Sequence, residues 1–297
     1  MRDLVQQFID HVAYERGLAE NTCVAYEHDL LDFVAFLENR WKIDAVADVQ
    51  RSHIAAWLDA QRKAGNRTTS RRRRLFAVKA FFSFLAAERL VPENITSSII
   101  SPEIGRTLPR SLTESDVALL LNSITGRSPY DVRDRAILEL FYACGLRVSE
   151  LTSLRMNDVK VDERLVKCTG KGGKSRVVPL GTGAYDALLN YLDLGRERFA
   201  RGNVSEVGLF LTQRGAPFTR QGIFKMLAKR AKEALLEQHV HPHMLRHSFA
   251  THLLANGAPI RVIQEMLGHA DIATTQIYTH VNDKLIKSIH SRFHPRH

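Results

Sequence analysis

The sequence predicts a mainly α-helical protein with a small β-sheet, divided into two domains. Apolar residues recur at helical spacing through the first hundred positions, which contain no convincing strand. A stretch rich in proline and glycine follows. The second half is again helical, except for two short strand patterns joined by a glycine-rich turn. We therefore expect an N-terminal helical domain over 1–98, a linker over 99–110 and a second domain over 111–297.

Three helices are predicted in the first domain. Asn21-Thr22 can cap a helix that continues through Leu37, and a second helix is expected from Asp48 to Lys63. Thr68-Thr69-Ser70 precedes a third, from Arg71 to about Leu90. Each carries an apolar stripe, so the three are expected to pack as a small helical bundle.

The linker and the sheet are indicated by their own residue types. Proline and glycine punctuate the linker at Pro102, Gly105 and Pro109. Beyond it, 164–169 and 175–180 have the composition of paired strands, and the turn between them carries Lys171. Residues 209–211 are a candidate for a third short strand. The sheet is thus expected to be a small part of a helical second domain.

The charge distribution favours a polyanionic partner. The chain has a net charge of +10, but residues 1–105 hold 14 basic and 14 acidic side chains, so the whole excess lies in residues 106–297, which contain the second domain. A basic domain of this kind favours nucleic acid as the partner. Charges that only keep the protein soluble would give the same total. The three cysteines form no C-x-x-C pair, and we find neither a secretory signal nor a membrane span. We expect a cytoplasmic protein without disulfides, cysteine zinc sites or membrane association.

Five short motifs in the second domain together have the residues of a phosphate-handling site. They are Gly145-Leu146-Arg147, Gly170-Lys171-Gly172-Gly173-Lys174, His243-Met244-Leu245-Arg246, Leu267-Gly268-His269 and Ile277-Tyr278. A guanidinium is always charged and forks onto two phosphate oxygens. Histidine and lysine can move protons, and a tyrosine can act as nucleophile. Glu150, three residues after Arg147, can orient a neighbouring basic group.

Each motif has a simpler interpretation when taken alone. Arg147 suits a surface salt bridge, and Lys171 suits an ordinary basic turn. His243 and His247 have the i, i+4 spacing of a zinc pair. Against zinc, an H-E-x-x-H motif would need glutamate where Met244 stands, and Arg246 would place a fixed cation on the same face.

The ordered set resembles the tyrosine recombinase (phage integrase) family. The similarity extends to the phrases shared by its chromosome-dimer-resolving XerC/XerD group, and the His294-Pro295-Arg296 ending is slightly closer to XerD. These phrases are Gly17 to Thr22, Tyr142 to Leu151, His243 to Leu254 and Leu267 to His280. The resemblance covers essentially the whole chain, and all six catalytic positions match the family pattern.

The resemblance implies a catalytic set of Arg147, Lys171, His243, Arg246, His269 and Tyr278. Tyr278 would attack the scissile phosphate and form a 3′-phosphotyrosyl bond. The two arginines would stabilise charge on the phosphate, and His269 would hydrogen-bond to it. Lys171 would protonate the 5′ oxygen, and His243 would accept the tyrosine proton. No metal, ATP or other cofactor is implied.

The same resemblance implies an architecture and partners. The N-terminal domain would be a SAM-like, core-binding DNA-binding domain, and the C-terminal domain a catalytic tyrosine recombinase domain. Together they would form a C-shaped clamp around a double-stranded DNA recombination site, similar to dif. A sister recombinase would complete a cyclic heterotetramer by exchange of the last helix, and a septal DNA translocase is a further expected partner. Docking of that helix on its own subunit fits the sequence equally well.

Six residues are expected to contact DNA outside the catalytic set. Arg71 and Arg72 belong to a run of four arginines at a predicted helix start, and Lys174 and Arg176 follow the glycine-rich turn. Arg220 and Gln221 open a helix rich in Lys225, Lys229, Arg230 and Lys232, so they are candidates for reading base edges while the later cations meet phosphates. A solvated basic face is the alternative there.

Three other functions remain as alternatives. A phage or mobile-element integrase would share the chemistry but often has an additional arm-binding domain. A DNA-binding accessory protein without catalysis would not need all six residue types. A type IB topoisomerase shares the arginine, lysine, histidine and tyrosine chemistry but not the full-length resemblance.

Overall fold

The computed structural model describes residues 1–14, 16, 18, 20–101, 111–170, 173, 175–202, 207–268 and 280–296. The chain forms two compact units, Met1–Thr107 and Leu108–His297. Most of the predicted linker, 102–110, lies outside the described residues. No helix within the described ranges is both long and apolar enough to span a membrane.

In its described residues the first unit is a bundle of four α-helices, α1 (Arg2–Tyr14), α2 (Glu20–Trp41), α3 (Arg51–Lys63) and α4 (Thr68–Ala87). The three predicted helices are α2 to α4, with ends that differ by a few residues. Helix α1 is an addition to the prediction. Its buried residues recur at i, i+3, i+4 and i+7, a helical pattern, and they are Val5, Phe8, Ile9 and Val12.

A buried polar network fastens the start of α4 to α2. Asp29 is fully buried and forms ion pairs with Arg73 and Arg74, while Asp32 accepts a hydrogen bond from Trp57 Nε1 at 3.1 Å. Burial raises the pKa of Asp29, and the two arginine charges oppose that rise only in part. Arg73 and Arg74 therefore both stabilise the bundle through Asp29, although the Arg73 side chain is also 45% exposed.

The second unit contains the remaining helices and a small sheet. The helices are α5 (Glu114–Asn122), α6 (Pro129–Cys144), α7 (Val148–Ser153), α8 (Thr182–Tyr191), α9 (Glu197–Ala200), α10 (Arg220–Glu233), α11 (Pro242–Ala255), α12 (Ile260–Leu267) and α13 (His280–Phe293). The π-helical segment Leu192–Arg196 joins α8 to α9. The mainly helical fold with a small sheet is thus confirmed.

The sheet has three antiparallel strands in the order β1 (Val159–Lys160), β2 (Leu165–Thr169) and β3 (Ser175–Pro179). The register of β2 on β3 runs from Leu165↔Pro179 to Thr169↔Ser175, so the two predicted strands are confirmed. The predicted third strand at 209–211 is wrong. Within that segment only Leu211 forms a bridge, to Pro217, a second isolated bridge joins the preceding Gly208 to Arg155, and the three residues are buried.

Helix α6 is the centre of the second unit. Every residue from Arg133 to Cys144 except Arg135 is buried, as expected for a helix surrounded by others. Ser128 caps its start by accepting a hydrogen bond from the Asp131 amide at 3.2 Å. Gly145 ends it in the left-handed conformation, with φ of 55°.

The last helix is anchored on the same unit through the end of α6. His290 Nε2 donates to the Ala143 carbonyl at 2.9 Å and His294 Nε2 to the Tyr142 carbonyl at 3.2 Å. Arg296 adds a bidentate ion pair with the buried Glu139, at 3.1 and 2.6 Å. The His294-Pro295-Arg296 ending therefore binds the helix that leads into Arg147, within one chain.

A third buried imidazole, that of His252, lies on α11. Tyr142 donates through its hydroxyl to His252 Nδ1 at 2.8 Å, and His252 Nε2 donates to the Leu112 carbonyl at 2.9 Å. Burial lowers the pKa of His252, and it lowers the pKa of His294 well below the usual range. Burial therefore disfavours the charged form of both rings in the folded protein.

We predict that the protein loses stability as the pH falls below about 6.5, the pKa of histidine in an unfolded chain. The folded pKa values of His252 and His294 are depressed, so the unfolded state binds more protons in this range and is favoured. Each ring contributes up to about 1.4 kcal/mol per pH unit. The measurement is urea unfolding between pH 7.5 and 5.5.

The matched control is the double variant His252→Gln and His294→Gln, which retains an amide donor for each carbonyl. Its unfolding midpoint should vary less with pH than that of the wild type. A wild-type midpoint that is constant from pH 7.5 to 5.5 would contradict the prediction.

Candidate active site

Arg147 lies at the junction between α6 and α7, where the left-handed Gly145 turns the chain. Its backbone amide donates to Glu150 Oε2 at 2.8 Å and its Nη1 to Glu150 Oε1 at 2.8 Å. Its Nη2 donates to the Gly268 carbonyl at 3.3 Å. The side chain is still 37% exposed, so its guanidinium is oriented by the protein and accessible from outside.

Arg246 approaches the same place from α11. Its Nη1 donates to the Gly145 carbonyl at 2.6 Å and its Nη2 to the Leu267 carbonyl at 2.7 Å. Burial, together with the charges of Arg147 and Arg176, lowers its pKa to about 10. Arg246 is still cationic at neutral pH, but its charge is poorly compensated and an anion would stabilise it.

Glu150 is the shared acceptor of the cluster. It is buried, and both carboxylate oxygens accept from Arg147 and from Arg176. Burial alone would raise its pKa, but the hydrogen bonds and charge of Arg176, with those of Arg147, lower it to about 2. The predicted orienting role of Glu150 thus corresponds to an ionised carboxylate between basic groups.

The end of α12 receives all three guanidiniums. Arg176 Nε donates to the Met266 carbonyl at 2.5 Å, Arg246 to Leu267 and Arg147 to Gly268. The last carbonyls of a helix have no partners within it and carry partial negative charge, so cations are favoured there. The arginines therefore fix the helix end that directly precedes His269.

Two glycines make these close approaches possible. Gly145 and Gly268 end α6 and α12 with φ of 55° and 64°, a conformation that other residues adopt at a cost. A Cβ at Gly145 would lie 2.5 Å from a ring carbon of Phe249. A Cβ at Gly268 would lie 3.1 Å from Arg176 Cδ. The glycines of two motifs thus have a steric role next to the arginines.

His243 is exposed in the first turn of α11, three residues before Arg246. His241 caps that helix through Nδ1, which accepts from the Met244 amide at 3.2 Å. Burial and the neighbouring charges of His243 and His239 lower the pKa of His241. His241 therefore has a capping role, whereas the side chain of His243 faces solvent.

Three of the six predicted catalytic residues, Lys171, His269 and Tyr278, lie outside the described residues, as does Lys174. Among the described members of the set, Arg147 and Arg246 meet at Glu150 and the α12 end. Within the ranges that the structure describes, we find no group of three or more histidine, cysteine, aspartate or glutamate side chains suited to a metal ion.

The structure separates the proposed DNA contacts into exposed and buried groups. Arg220 and Gln221 are exposed in the first turn of α10, which Thr219 caps. Arg71 and Arg72 are partly exposed on α4, and the Arg72 guanidinium lies 5.5 Å from the Phe76 ring centre. These four remain candidates for DNA contact.

Arg176 requires a correction, since it was expected to touch the DNA backbone. Its side chain is only 5% exposed and its donors end on Glu150 and Met266. Arg230 is likewise buried on the inner face of α10, where it forms ion pairs with Asp131 and Asp134. Both residues are therefore withdrawn from the proposed DNA contacts. The sequence does contain a sign that Arg176 is buried. Side chains alternate between the two faces of a strand, so Arg176 lies on the same face of β3 as the apolar Val178.

Two family models match the chain, one over each unit. Residues 110–284 match the Phage integrase family, and residues 5–89 match the phage integrase N-terminal SAM-like domain. Together these regions cover most of the chain, and the first corresponds to the unit that holds the arginine cluster.

Individual relatives show which group within the family the chain is similar to. The chain is 41% identical to tyrosine recombinase XerD of Halalkalibacterium halodurans over 98% of this chain and 97% of that protein. It is 42% identical to tyrosine recombinase XerC of Roseiflexus castenholzii, over 100% and 94%. Its fold is similar to that of the XerH site-specific recombinase bound to palindromic difH substrate in a post-cleavage complex, with a TM-score of 0.72 and 23% identity over 96% and 83% of the chains. With three arginines gathered around one buried carboxylate, and with this similarity along its full length, the chain belongs to the phage integrase family and is a tyrosine recombinase of the XerC/XerD type.

Proposed function

We propose that this recombinase exchanges DNA strands at a dif-like site and thereby resolves chromosome dimers during chromosome segregation and cell division. The observation that carries the proposal is the convergence of Arg147 and Arg246 on one helix end, with a buried carboxylate behind them. Both guanidiniums are oriented by hydrogen bonds to the protein itself. Preorganised charges of this kind stabilise a transition state without further reorganisation.

The proposed cleavage step is a transesterification. The Tyr278 hydroxyl oxygen bonds to the scissile phosphorus while the bond from phosphorus to the 5′ oxygen breaks. His243 accepts the phenolic proton and Lys171 donates a proton to the departing oxygen. Arg147, Arg246 and His269 bind the non-bridging oxygens. Attack by the 5′ hydroxyl of another strand reverses the step, so the chemistry needs neither metal nor ATP.

The proposed DNA contacts come from cations of each unit. Arg71 and Arg72 would bind phosphates from the first unit, and Lys174, which follows the glycine-rich turn in the sequence, would bind a phosphate from the second. Arg220 and Gln221, at the start of α10, would reach base edges in a groove. The excess positive charge, which lies beyond residue 105, supports a polyanionic partner for the second unit.

The proposed assembly is a cyclic heterotetramer with a sister recombinase on double-stranded DNA, in the cytoplasm, with a septal DNA translocase as activator. The names of the full-length relatives, XerD and XerC, support this assignment over a phage integrase. The contacts of His290, His294 and Arg296 with α6 favour an α13 whose final turns stay on their own subunit.

We predict that Tyr278→Phe abolishes covalent attachment to a nicked dif-like duplex and leaves its binding within about threefold of wild type. Phenylalanine has no oxygen to bond to phosphorus, but it keeps the ring. Covalent complexes are counted on denaturing gels, and binding is measured by mobility shift. Peptide mapping of the wild-type complex should place the DNA on Tyr278. Covalent trapping by the Phe variant would disprove the proposed nucleophile.

We predict that two neighbouring arginines of α4 affect different properties, one DNA binding and the other stability. Arg72→Ala should weaken DNA binding and reduce the slope of log K against log salt by about 1, since one phosphate contact is lost. Arg73→Ala should instead lower the unfolding midpoint, because it leaves the buried Asp29 with less positive charge. Binding titrations at several salt concentrations and thermal unfolding of both variants are the measurements.

The two variants are controls for each other, since each removes one arginine from the same helix. If Arg73→Ala weakened binding as much as Arg72→Ala and left stability unchanged, the division of the arginine run into binding and structural members would be wrong.

A further inference from the structure

Arg176 is a buried arginine outside the proposed catalytic set. Its Nη1 and Nη2 donate to the two carboxylate oxygens of Glu150 at 2.7 and 2.8 Å, and its Nε donates to the Met266 carbonyl. Removing a guanidinium from water is costly unless its partners compensate fully. Glu150 does so, since its charge and hydrogen bonds raise the pKa of Arg176 against the effect of burial, which lowers it.

Glu150 faces three guanidiniums at once. Besides Arg176 it binds Arg147, and its Oε2 lies 3.9 Å from Arg246 Nη1. One carboxylate among three guanidiniums leaves two positive charges in excess. Because the cluster is mostly buried, these charges interact more strongly than they would in water.

The two excess positive charges match the negative charge that develops on the phosphate in the proposed reaction. A phosphodiester carries one negative charge, and addition of a phenolate oxygen to its phosphorus gives two. If Arg176 were neutral, the same Glu150 would face only Arg147 and Arg246, and one excess positive charge would remain. The carboxylate would then compete with the phosphate for the two arginines.

We propose that Arg176 is a positioning residue of the recombinase reaction, which neutralises Glu150 and thereby keeps Arg147 and Arg246 available for the scissile phosphate. It does not touch the DNA, because its side chain is buried. The proposal rests on the proposed function, since it takes a phosphodiester as the ligand of the two arginines.

Arg176 also connects two elements that lead to other members of the site. It lies on β3 opposite Cys168 of β2, in the hairpin whose turn contains Lys171 in sequence. Its hydrogen bond to Met266 ends three residues before His269. The residue therefore has a geometric role as well as an electrostatic one, and the two are separable by experiment.

The first test compares Arg176→Gln with wild type on a nicked suicide substrate at saturating DNA. We expect the single-turnover rate of covalent attachment to fall about 100-fold, with the DNA dissociation constant within about threefold. Arg176→Lys, which restores the charge without the fork, should recover to within about tenfold of wild type.

Arg133→Gln is the matched control. Arg133 is as buried as Arg176, donates twice to one carboxylate, that of Asp134, and once to a backbone carbonyl, that of Leu211. It makes no contact with Glu150, Arg147 or Arg246. Its loss should lower the unfolding midpoint but leave the attachment rate of the folded protein within about threefold of wild type. Folded fractions are measured by circular dichroism at the assay temperature.

The second test removes the charge that Arg176 neutralises. If the role is electrostatic, the double variant Glu150→Gln with Arg176→Gln should attach about tenfold faster than Arg176→Gln alone, since no carboxylate remains to compete with the phosphate for Arg147 and Arg246. A purely structural role predicts that the second change brings no gain. A double variant no faster than the single one, or equal rate losses in Arg176→Gln and Arg133→Gln, would overturn the proposal.

The outcomes separate this proposal from the proposed function. If wild type fails to form a covalent complex, the proposed function is wrong. If wild type forms it through Tyr278 and Arg176→Gln does so at the same rate, only the role of Arg176 is wrong.

Discussion

The ion cluster around Glu150 is the interaction on which the geometry of the second unit depends. Its carboxylate holds Arg147 at the start of α7 and Arg176 on β3, and it lies near Arg246 of α11. The three cations in turn hold the end of α12. Because like charges repel strongly away from water, the guanidiniums can share this small volume only with the carboxylate among them. Four elements therefore meet there as one unit.

The cluster can be buried because backbone carbonyls accept hydrogen bonds from its arginines. Burying one carboxylate and three guanidiniums would by itself oppose folding. The carbonyls at the end of α12, together with that of Gly145, accept donors that Glu150 cannot satisfy, and a helix C-terminus adds partial negative charge. Even so, burial and its neighbours lower the pKa of Arg246 to about 10, so positive charge is left uncompensated. Under the proposed function, the scissile phosphate supplies the missing anion, and binding and catalysis use the same excess charge.

The sequence predicted local structure well and long-range pairing poorly. The helices and the β2–β3 hairpin follow from periodicity and turn residues, and the motifs placed Arg147 and Arg246 in one site. The four arginines of 71–74 are alike in sequence, and their division depends on Asp29 and Asp32, about forty residues earlier. Arg176 was assigned to the surface for the same reason, since a basic run after a glycine-rich turn gives no sign of a carboxylate 26 residues away. Partner identity at such distances is a property of the tertiary fold.

Helix α6 links the two functional ends of the second unit. Near its start, Asp134 binds Arg230 and so fastens α10, whose first turn carries the proposed base-reading residues. At its other end Gly145 turns the chain into Arg147, and the carbonyls there hold α13. Each added residue would lengthen the helix by about 1.5 Å and rotate its end by about 100°. Since α6 is buried from Arg133 to Cys144 apart from Arg135, such a change would displace Arg147 and Glu150 together from Arg176 and Arg246. The length of α6 thus sets the distance between the bases that α10 is proposed to read and the phosphate that the arginines are proposed to bind.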